Sequence, residues 1–244
     1  MSNIVLAFDI ERSGATNKHQ TIAIGASVVD QDLQELDRLF LPGYFTGESL
    51  PKIAIRVDTV TTFEHRYWDT FWVNHQDILK SLEYKGPLSK QSREEEMITL
   101  FQQFRAKWEL KAQDIGRPLQ LVSDNTVYDG GFINQMIYDH LDSVLPIPYA
   151  AGLFQEVENS DKDKYKVQKY SNFYNISDIQ RGFLFAIDPT YIGWERSYRL
   201  TELYDVPKSP YDIKHDHNPA NDAYTIGYDM QVINNIRNNT YKKK

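Results

Sequence analysis

The sequence contains no cysteine, and this absence restricts the kinds of site that the protein can build. Disulfide frameworks, thiolate zinc sites and a cysteine nucleophile are all excluded, so any metal site must use oxygen or imidazole ligands. The chain also lacks a run of about 18 apolar residues. Its start, MSNIVLAFDIERSG, has neither the basic flank nor the cleavage pattern of a secretory signal. We expect a protein that is not secreted, has no membrane partner and acts in the cytoplasm or elsewhere inside the cell.

The sequence has fewer basic than acidic residues, with 27 Lys and Arg and 34 Asp and Glu, for a net charge of -7. This balance argues against a protein that coats long stretches of duplex nucleic acid through counterion release. The basic run at Lys242, Lys243 and Lys244 is interpreted as a solvated tail, with a nucleic-acid arm as the less favoured alternative. Patterns typical of phosphate-binding loops, serine hydrolases and zincins are missing from the sequence.

Hydrophobic patterning predicts an α/β fold in one domain over residues 1–244. The strand predictions rest on apolar or alternating runs and cover Ile4–Ile10, Thr21–Val29, Glu35–Leu41 and Leu119–Ser123. The helix predictions rest on helical spacing and cap signals and cover Ser92–Leu110, Gly130–Leu141, Ser197–Tyr204 and Pro219–Ile236. Residues 142–196 mix Pro, Gly, aromatic and charged residues without a sustained period, so an irregular insertion is predicted there.

Asp9 and Glu11 end the first predicted strand. Side chains alternate along a strand, so both carboxylates should point to the same face and could share a cation. Two acids on a core strand are costly to desolvate unless a cation or a hydrogen-bond network compensates them. For this pair taken alone, strand-end acids that simply meet solvent are the commoner alternative.

Asp129 stands in SDNTVYDGGFIN, between a predicted strand and a predicted helix. Taken alone, an Asp at this place is expected to cap the helix by accepting hydrogen bonds from the N–H groups of the first turn. The following Gly130 and Gly131 allow a tight turn or the close approach of another group. They fit a helix cap and a crowded site equally well.

The segment HNPANDA, which starts at His217, predicts the beginning of the last helix. Pro219 suits the first helical position and Asn218 its cap, which places Asp222 in the first turn and His217 just outside the helix. A histidine on a loop can swing, and this suits a general base that must reach a water molecule. An ordinary exposed histidine is the alternative. His215 competes for the same role, and the position relative to the cap favours His217.

Three stretches in this order, FDIERSG, NTVYDGGF and HNPANDA, resemble the three motifs of the DEDDh exonuclease family. The match is tight over Ala7–Gly14, Asn125–Phe132 and His217–Ala223. The sequence departs from the family pattern at Asp124, where many members have a small residue or a histidine. It also departs in the long segment from Leu141 to Ser177.

The resemblance implies a ribonuclease H-like fold, with a mixed sheet of about five strands, the first three antiparallel, flanked by helices on both faces. It implies a two-metal-ion 3′-to-5′ exonuclease that hydrolyses phosphodiester bonds at the 3′ end of RNA or single-stranded DNA and releases nucleoside monophosphates. Two Mg²⁺ or Mn²⁺ ions, about 4 Å apart, would activate water and stabilise the leaving oxygen. The implied metal ligands are Asp9, Glu11, Asp129 and Asp222, and His217 would activate water. The implied substrate contacts are Ile10, Glu11, Arg12, Ser13, Asn125 and Phe132, with the backbone around Glu11 and Arg12 holding the terminal sugar and its 3′-hydroxyl.

The aromatic cluster YWDTFW holds Tyr67, Trp68, Phe71 and Trp72. These side chains could stack on single-stranded bases, but their helical spacing favours packing in the core. Two other functions stay open beside the exonuclease: a catalytically idle nucleic-acid-binding or scaffolding module with the same fold, and an endonuclease of related fold. The sequence does not decide between RNA and DNA, and a homodimer is also left open.

Overall fold

The computed structural model describes residues 3–14, 20–43, 71–141, 153–158, 164–169, 173–187, 198–208 and 216–244. The strands within these ranges are β1 (Ile4–Arg12), β2 (Thr21–Val29), β3 (Glu35–Pro42), β4 (Leu119–Ser123), β5 (Leu153–Glu158), β6 (Lys164–Lys169) and β7 (Phe173–Asn175). The α-helices are α1 (Gln76–Ser81), α2 (Lys90–Asp114), α3 (Thr126–His140), α4 (Ile176–Ile187), α5 (Tyr198–Leu203) and α6 (Pro219–Arg237). A short 3₁₀ turn, Trp72–Asn74, precedes α1.

Five strands form the main sheet, in the order β3-β2-β1-β4-β7. β1, β2 and β3 pair antiparallel, whereas β4 runs parallel to both β1 and β7. β1 lies at the centre, where both of its edges are paired and both of its faces are covered. Its continuous apolar sequence is typical of a strand that is buried on both faces. β5 and β6 form a separate antiparallel pair. The prediction of an α/β fold with a mixed five-stranded sheet, whose first three strands are antiparallel, is confirmed.

The alternation of side chains along β1 divides the core into two layers. Its even-numbered residues, from Ile4 to Ile10, pack with apolar residues of α2 and α3. Its odd-numbered residues Val5 and Ala7 pack instead with apolar residues of α6. Helices therefore cover both faces of the sheet. Asp9 and Glu11 continue the odd-numbered series and so point to the α6 side.

Two helices begin earlier than the sequence predicted, because each has a polar cap upstream of its apolar pattern. Ser89 caps α2 through its Oγ, which accepts a hydrogen bond from the backbone N–H of Ser92 at 3.2 Å. Asn125 caps α3, and its Oδ1 accepts from the backbone N–H of Tyr128 at 3.2 Å. Asp129 therefore lies inside the first turns of α3, and the interpretation of Asp129 as the cap is wrong.

Residues 142–196 contain more regular structure than predicted. The described part of this stretch holds the β5–β6 pair, the edge strand β7 and helix α4. β7 is three residues long, too short to show an alternating pattern, and its pairing with β4 is what defines it. Phe173 of β7 stacks on Phe8 of β1 with ring centroids 5.3 Å apart. The expectation of an irregular insertion is corrected for these residues.

Helix α6 lies directly on the sheet, because Gly25 of β2 presents no side chain to it. A Cβ atom at Gly25 would overlap the backbone of Pro219 and Ala220. Gly25 is also the register partner of Asp9 on β1. The close approach therefore brings the first turn of α6 beside the acidic end of β1. None of the helices in the described ranges is both long enough and apolar enough to cross a bilayer.

Candidate metal centre

A cleft of about 280 Å³ lies at the carboxyl end of β1. β4 runs parallel to β1, so the carboxyl ends of both strands open to the same edge of the sheet. The cleft is lined by Asp9, Ile10, Glu11, Arg12, Phe71, Trp72, Asp124, Asn125, Tyr128, Asp129 and His217. Acidic side chains from two separate stretches of the chain thus meet at one place, and His217 joins them from a third.

One group of acids consists of Asp9, Asp124 and Asp129, each with a carboxylate oxygen within 4.8 Å of the others. Asp9 comes from β1, Asp124 directly follows β4, and Asp129 reaches them from α3. Asp9 and Asp129 are buried, at 8% and 2% exposure, and Asp124 is half-buried. The arrangement offers oxygen donors alone, which are the ligands that Mg²⁺ and Mn²⁺ prefer.

A second group consists of Glu11, His217 and Asp222, again with ligand atoms within 4.8 Å of one another. Asp222 is buried in the first turn of α6, where its backbone N–H donates to the Asn218 carbonyl oxygen at 2.9 Å. The Nδ1 atom of His217 lies 3.5 Å from Oε1 of Glu11. Both groups include a residue of β1, so the two groups of side chains lie side by side.

Burial and mutual repulsion disfavour the charged forms of these acids. Burial raises the pKa of the Asp129 carboxyl well above its ordinary value, and Asp9 raises it further, while the backbone N–H of Asn125, 3.3 Å from Oδ2, lowers it. Burial also raises the pKa of Glu11, and the charges of Asp222 and Asp129 add to this effect. Divalent cations would offset this accumulated negative charge, so the residues present fit such ions.

Comparison with known proteins assigns no family. No protein-family model matches the sequence, and no curated protein matches it significantly. The residues and geometry of the site are therefore the basis for its chemistry.

His217 lies on the loop before α6, with a left-handed backbone conformation at φ 55°. Asp216 fixes this loop to the helix, because its Oδ1 accepts from the backbone N–H of Asn218 at 3.0 Å and its Oδ2 from the side-chain amide of Asn221 at 2.8 Å. The His217 ring faces the cleft with 14% of its side chain exposed. His215, the competing histidine, lies outside the described residues.

The residues predicted to contact substrate divide into two sets. Ile10, Glu11, Arg12 and Asn125 line the cleft. Of the described residues, Ser13 and Phe132 are not among those that line it. The hydroxyl of Ser13 accepts from the backbone N–H of Gln20 at 2.9 Å, and the ring of Phe132 lies 3.6 Å below the guanidinium of Arg12.

Arg12 contributes a positive charge to this acidic cleft. Its guanidinium donates to the hydroxyl of Thr21 at 2.8 Å. Burial lowers the pKa of Arg12 to about 10, against the opposing influence of Tyr128 and Glu94. The side chain therefore remains charged at neutral pH, where it can attract a phosphate group.

The sequence did not predict the places of Asp124 and Phe71 at the site. Asp124, noted there as a departure from the family pattern, joins Asp9 and Asp129, and its position directly after β4 was the available signal. Phe71 lines the cleft and is half-buried, whereas its neighbour Trp72 is 1% exposed in the core. Core packing is thus confirmed for Trp72. Tyr67 and Trp68 of the same cluster lie outside the described residues.

Proposed function

We propose that the protein is a two-metal-ion 3′-to-5′ exonuclease with a ribonuclease H-like fold. It would hydrolyse phosphodiester bonds at the 3′ end of RNA or single-stranded DNA and release nucleoside monophosphates. The observation that carries this proposal is the convergence of residues from three distant stretches: Asp9, Glu11, Asp129 and His217 line one cleft, and the Asp222 carboxylate lies within 4.8 Å of the ligand atoms of Glu11 and His217. The residues that converge are those to which the DEDDh resemblance assigns the chemistry: Asp9, Glu11, Asp129, Asp222 and His217. The strand order and the antiparallel first three strands are compatible with the proposed fold.

The two groups of acids would hold the two ions. Asp9 and Asp129 belong to one group, and Glu11 and Asp222 to the other. When bound, Mg²⁺ or Mn²⁺ ions would polarise the scissile phosphate, promote deprotonation of water and stabilise the leaving 3′ oxygen. The chain's own contribution is to place these oxygen donors on rigid elements, two on a central strand and one each in the early turns of α3 and α6.

His217 would take the proton of the attacking water. Its imidazole lines the cleft beside Glu11, within reach of a molecule bound there. The water oxygen forms a bond to the terminal phosphorus, and the bond between that phosphorus and the 3′ oxygen of the preceding nucleotide breaks. The leaving 3′ oxygen takes up a proton, which balances the one that His217 received, so the products are a nucleoside 5′-monophosphate and a strand that is one nucleotide shorter, with a new 3′-hydroxyl.

The distribution of charge favours recognition of a chain end over coating of a polymer. The net charge is -7, and the cleft itself is acidic apart from Arg12. Bound cations and the Arg12 guanidinium would supply the positive field for a single phosphodiester. Attraction would therefore be confined to the cleft.

A shortening assay tests the proposal. We expect 5′-labelled RNA or DNA oligonucleotides to give ladders with single-nucleotide steps when Mn²⁺ is present. Asp9→Ala should slow shortening by more than about tenfold, because even outer-shell partners of metal ligands are worth about 10–100-fold. Asp139→Ala is the matched control, since Asp139 is an exposed acid of α3 that does not line the cleft. A circular single strand should survive, and its cleavage would identify an endonuclease instead.

Calorimetric titration with Mn²⁺ separates the exonuclease from a scaffolding module. We expect binding in the wild-type protein, weakened binding in Asp9→Ala and unchanged binding in Asp139→Ala. A protein that neither binds Mn²⁺ nor shortens any oligonucleotide would contradict the exonuclease proposal and favour the module.

A further inference from the structure

We propose that Phe71 is a positioning residue for His217, whose ring it holds in a fixed orientation at the cleft. This inference rests on the proposed function, because it gives His217 the role of activating water. The sequence indicated a loop histidine that can swing. The contacts around the ring indicate one that is held.

Phe71 lies against two histidine rings. The ring of His217 meets that of Phe71 edge to face, with centroids 4.2 Å apart and planes inclined by 82°. The ring of His75 also stacks on Phe71, with centroids 4.5 Å apart and planes inclined by 20°. The two histidines lie 5.2 Å apart, so the three rings form one cluster. Edge-to-face and stacked pairs are directional contacts, and together they restrict how the His217 ring can turn.

The turn that carries Phe71 is fixed to the strand that carries the acids. Trp72 is buried with apolar residues of β2 and α1. Its indole N–H donates to the carbonyl oxygen of Arg12 at 3.2 Å. Nδ1 of His75 lies within hydrogen-bond distance, 2.8 Å, of the Phe71 carbonyl oxygen. Phe71 is therefore held at a defined position relative to β1, and it can act as a fixed reference for His217.

Contact with Glu11 is poorly suited to hold His217 during turnover. Glu11 is a proposed cation ligand, and a carboxylate that turns towards a cation gives up its 3.5 Å contact with Nδ1 of His217. The Phe71 ring binds no cation of this kind, so its contact with His217 is compatible with an occupied site. Displacing a reacting group by about 1 Å can cost about 10²-fold in rate, so the orientation of the imidazole matters.

Kinetics of Phe71 variants test the positioning role. In Phe71→Ala, which removes the ring, we expect kcat for oligonucleotide shortening at saturating Mn²⁺ to fall by at least about tenfold, within the 10²–10⁴-fold that a general base contributes. KM and the affinity for Mn²⁺ should change by less than about twofold, because Phe71 binds neither ligand in this scheme. Phe71→Tyr keeps the ring and should recover most of kcat. Val73→Ala is the control, since Val73 belongs to the same turn and is 40% exposed.

A spectroscopic readout separates this inference from the proposed function. In metal-free protein, the Cε1 proton of His217 should show a ring-current shift, assigned by its loss in His217→Asn. The shift should be reduced in Phe71→Ala and retained in Phe71→Tyr. An unchanged His217 resonance in Phe71→Ala, or a kcat within about twofold of wild type, would overturn the positioning role even in an active nuclease. If the wild-type protein shows the shift but shortens no oligonucleotide, the ring contact is supported and the proposed function fails.

Discussion

Replacing Asp129 with asparagine should stabilise the metal-free protein and remove most of its stabilisation by Mn²⁺. Asp129 is 2% exposed and lies within 4.8 Å of carboxylate oxygens of Asp9 and Asp124. Its Oδ2 accepts a hydrogen bond from the backbone N–H of Asn125, and an amide oxygen can accept the same bond. The substitution therefore isolates the effect of the charge.

The direction of the effect follows from the pKa of Asp129. Burial, and then the charge of Asp9, raise the pKa of this carboxyl in the folded protein. The folded state thus holds the proton more tightly than the unfolded state. The contribution of this carboxyl to the free energy of unfolding is fully present below its pKa in the unfolded state. It is lost as the pH rises through its pKa in the folded state. The Asp129 carboxyl therefore contributes less stability to the metal-free protein at neutral pH than at acid pH, and this loss should be absent in Asp129→Asn.

The expected change in stability of Asp129→Asn is large enough to measure as a shift in Tm. A single stabilising substitution is commonly worth about 0.5–2 kcal/mol, and about 1 kcal/mol shifts Tm by about 2–4 °C in proteins of this length. The metal-free variant should therefore melt about 1–8 °C above wild type at neutral pH. Free Mn²⁺ at about a hundred times its Kd should stabilise the wild-type protein by about 2.7 kcal/mol, and the variant by much less.

Scanning calorimetry with a chelator and with Mn²⁺, at about pH 5 and about pH 7.5, measures each quantity. The advantage of Asp129→Asn over wild type should shrink at the lower pH, because the raised pKa of Asp129 makes the folded wild-type protein more stable as the pH falls. Asp139→Asn is the control, because this exposed acid lies on the same helix and should change neither Tm nor the response to Mn²⁺. A chelated variant that melts below wild type at neutral pH, or one that gains as much Tm from Mn²⁺, would refute the reasoning.

Two further substitutions examine how the site is assembled. Gly25→Ala places a Cβ against the backbone at the start of α6, so we expect a loss of about 1–3 kcal/mol in unfolding free energy by denaturant titration. Gly131→Ala, whose Cβ would meet nothing within 4 Å, should be neutral or slightly stabilising, and an equal loss in both variants would speak against the close approach. Asp124→Asn removes a carboxylate from the Asp9 group and should weaken Mn²⁺ binding by about 10–100-fold in calorimetric titration. An unchanged Kd would show that Asp124 has no influence on the bound ion.

Strongly patterned elements could be predicted from the sequence, and weakly patterned ones could not. β2 and β4 begin and end where their apolar runs begin and end. The start of α3 was placed too late because the pair Gly130 and Gly131 looks like a turn. In the structure the Asn125 cap starts the helix earlier, and a Cβ at Gly130 would lie 2.6 Å from the ring of Phe173. Tertiary packing thus explains a glycine that local propensity assigns to a turn.

The residues of the site also differ in how far their positions could be predicted from the sequence. Asp9, Glu11 and Asp222 stand at predicted strand ends or helix starts, where their positions follow from local pattern. Phe71 carries no such signal, because a single aromatic residue in a cluster can be core or surface. Its place beside His217 depends on Trp72, which fixes the turn to β1 through Arg12. That contact joins segments far apart in the chain, and no local pattern encodes it.

Strand β1 carries both apolar residues of the core and acidic residues of the site. Along β1 the residues that face α6 change from apolar Val5 and Ala7 to Asp9 and Glu11 within the same strand. These acids are therefore anchored by the packing that stabilises the fold, with backbone contacts so close that α6 admits no side chain at Gly25. Burial raises the pKa values of Glu11 and Asp129, and because rigid anchoring prevents the like charges from moving apart, their repulsion raises these pKa values further. Cations bound between the carboxylates would relieve this repulsion without requiring the backbone to move. We therefore expect variants of these acids that bind the metal more weakly to be more stable in the absence of metal.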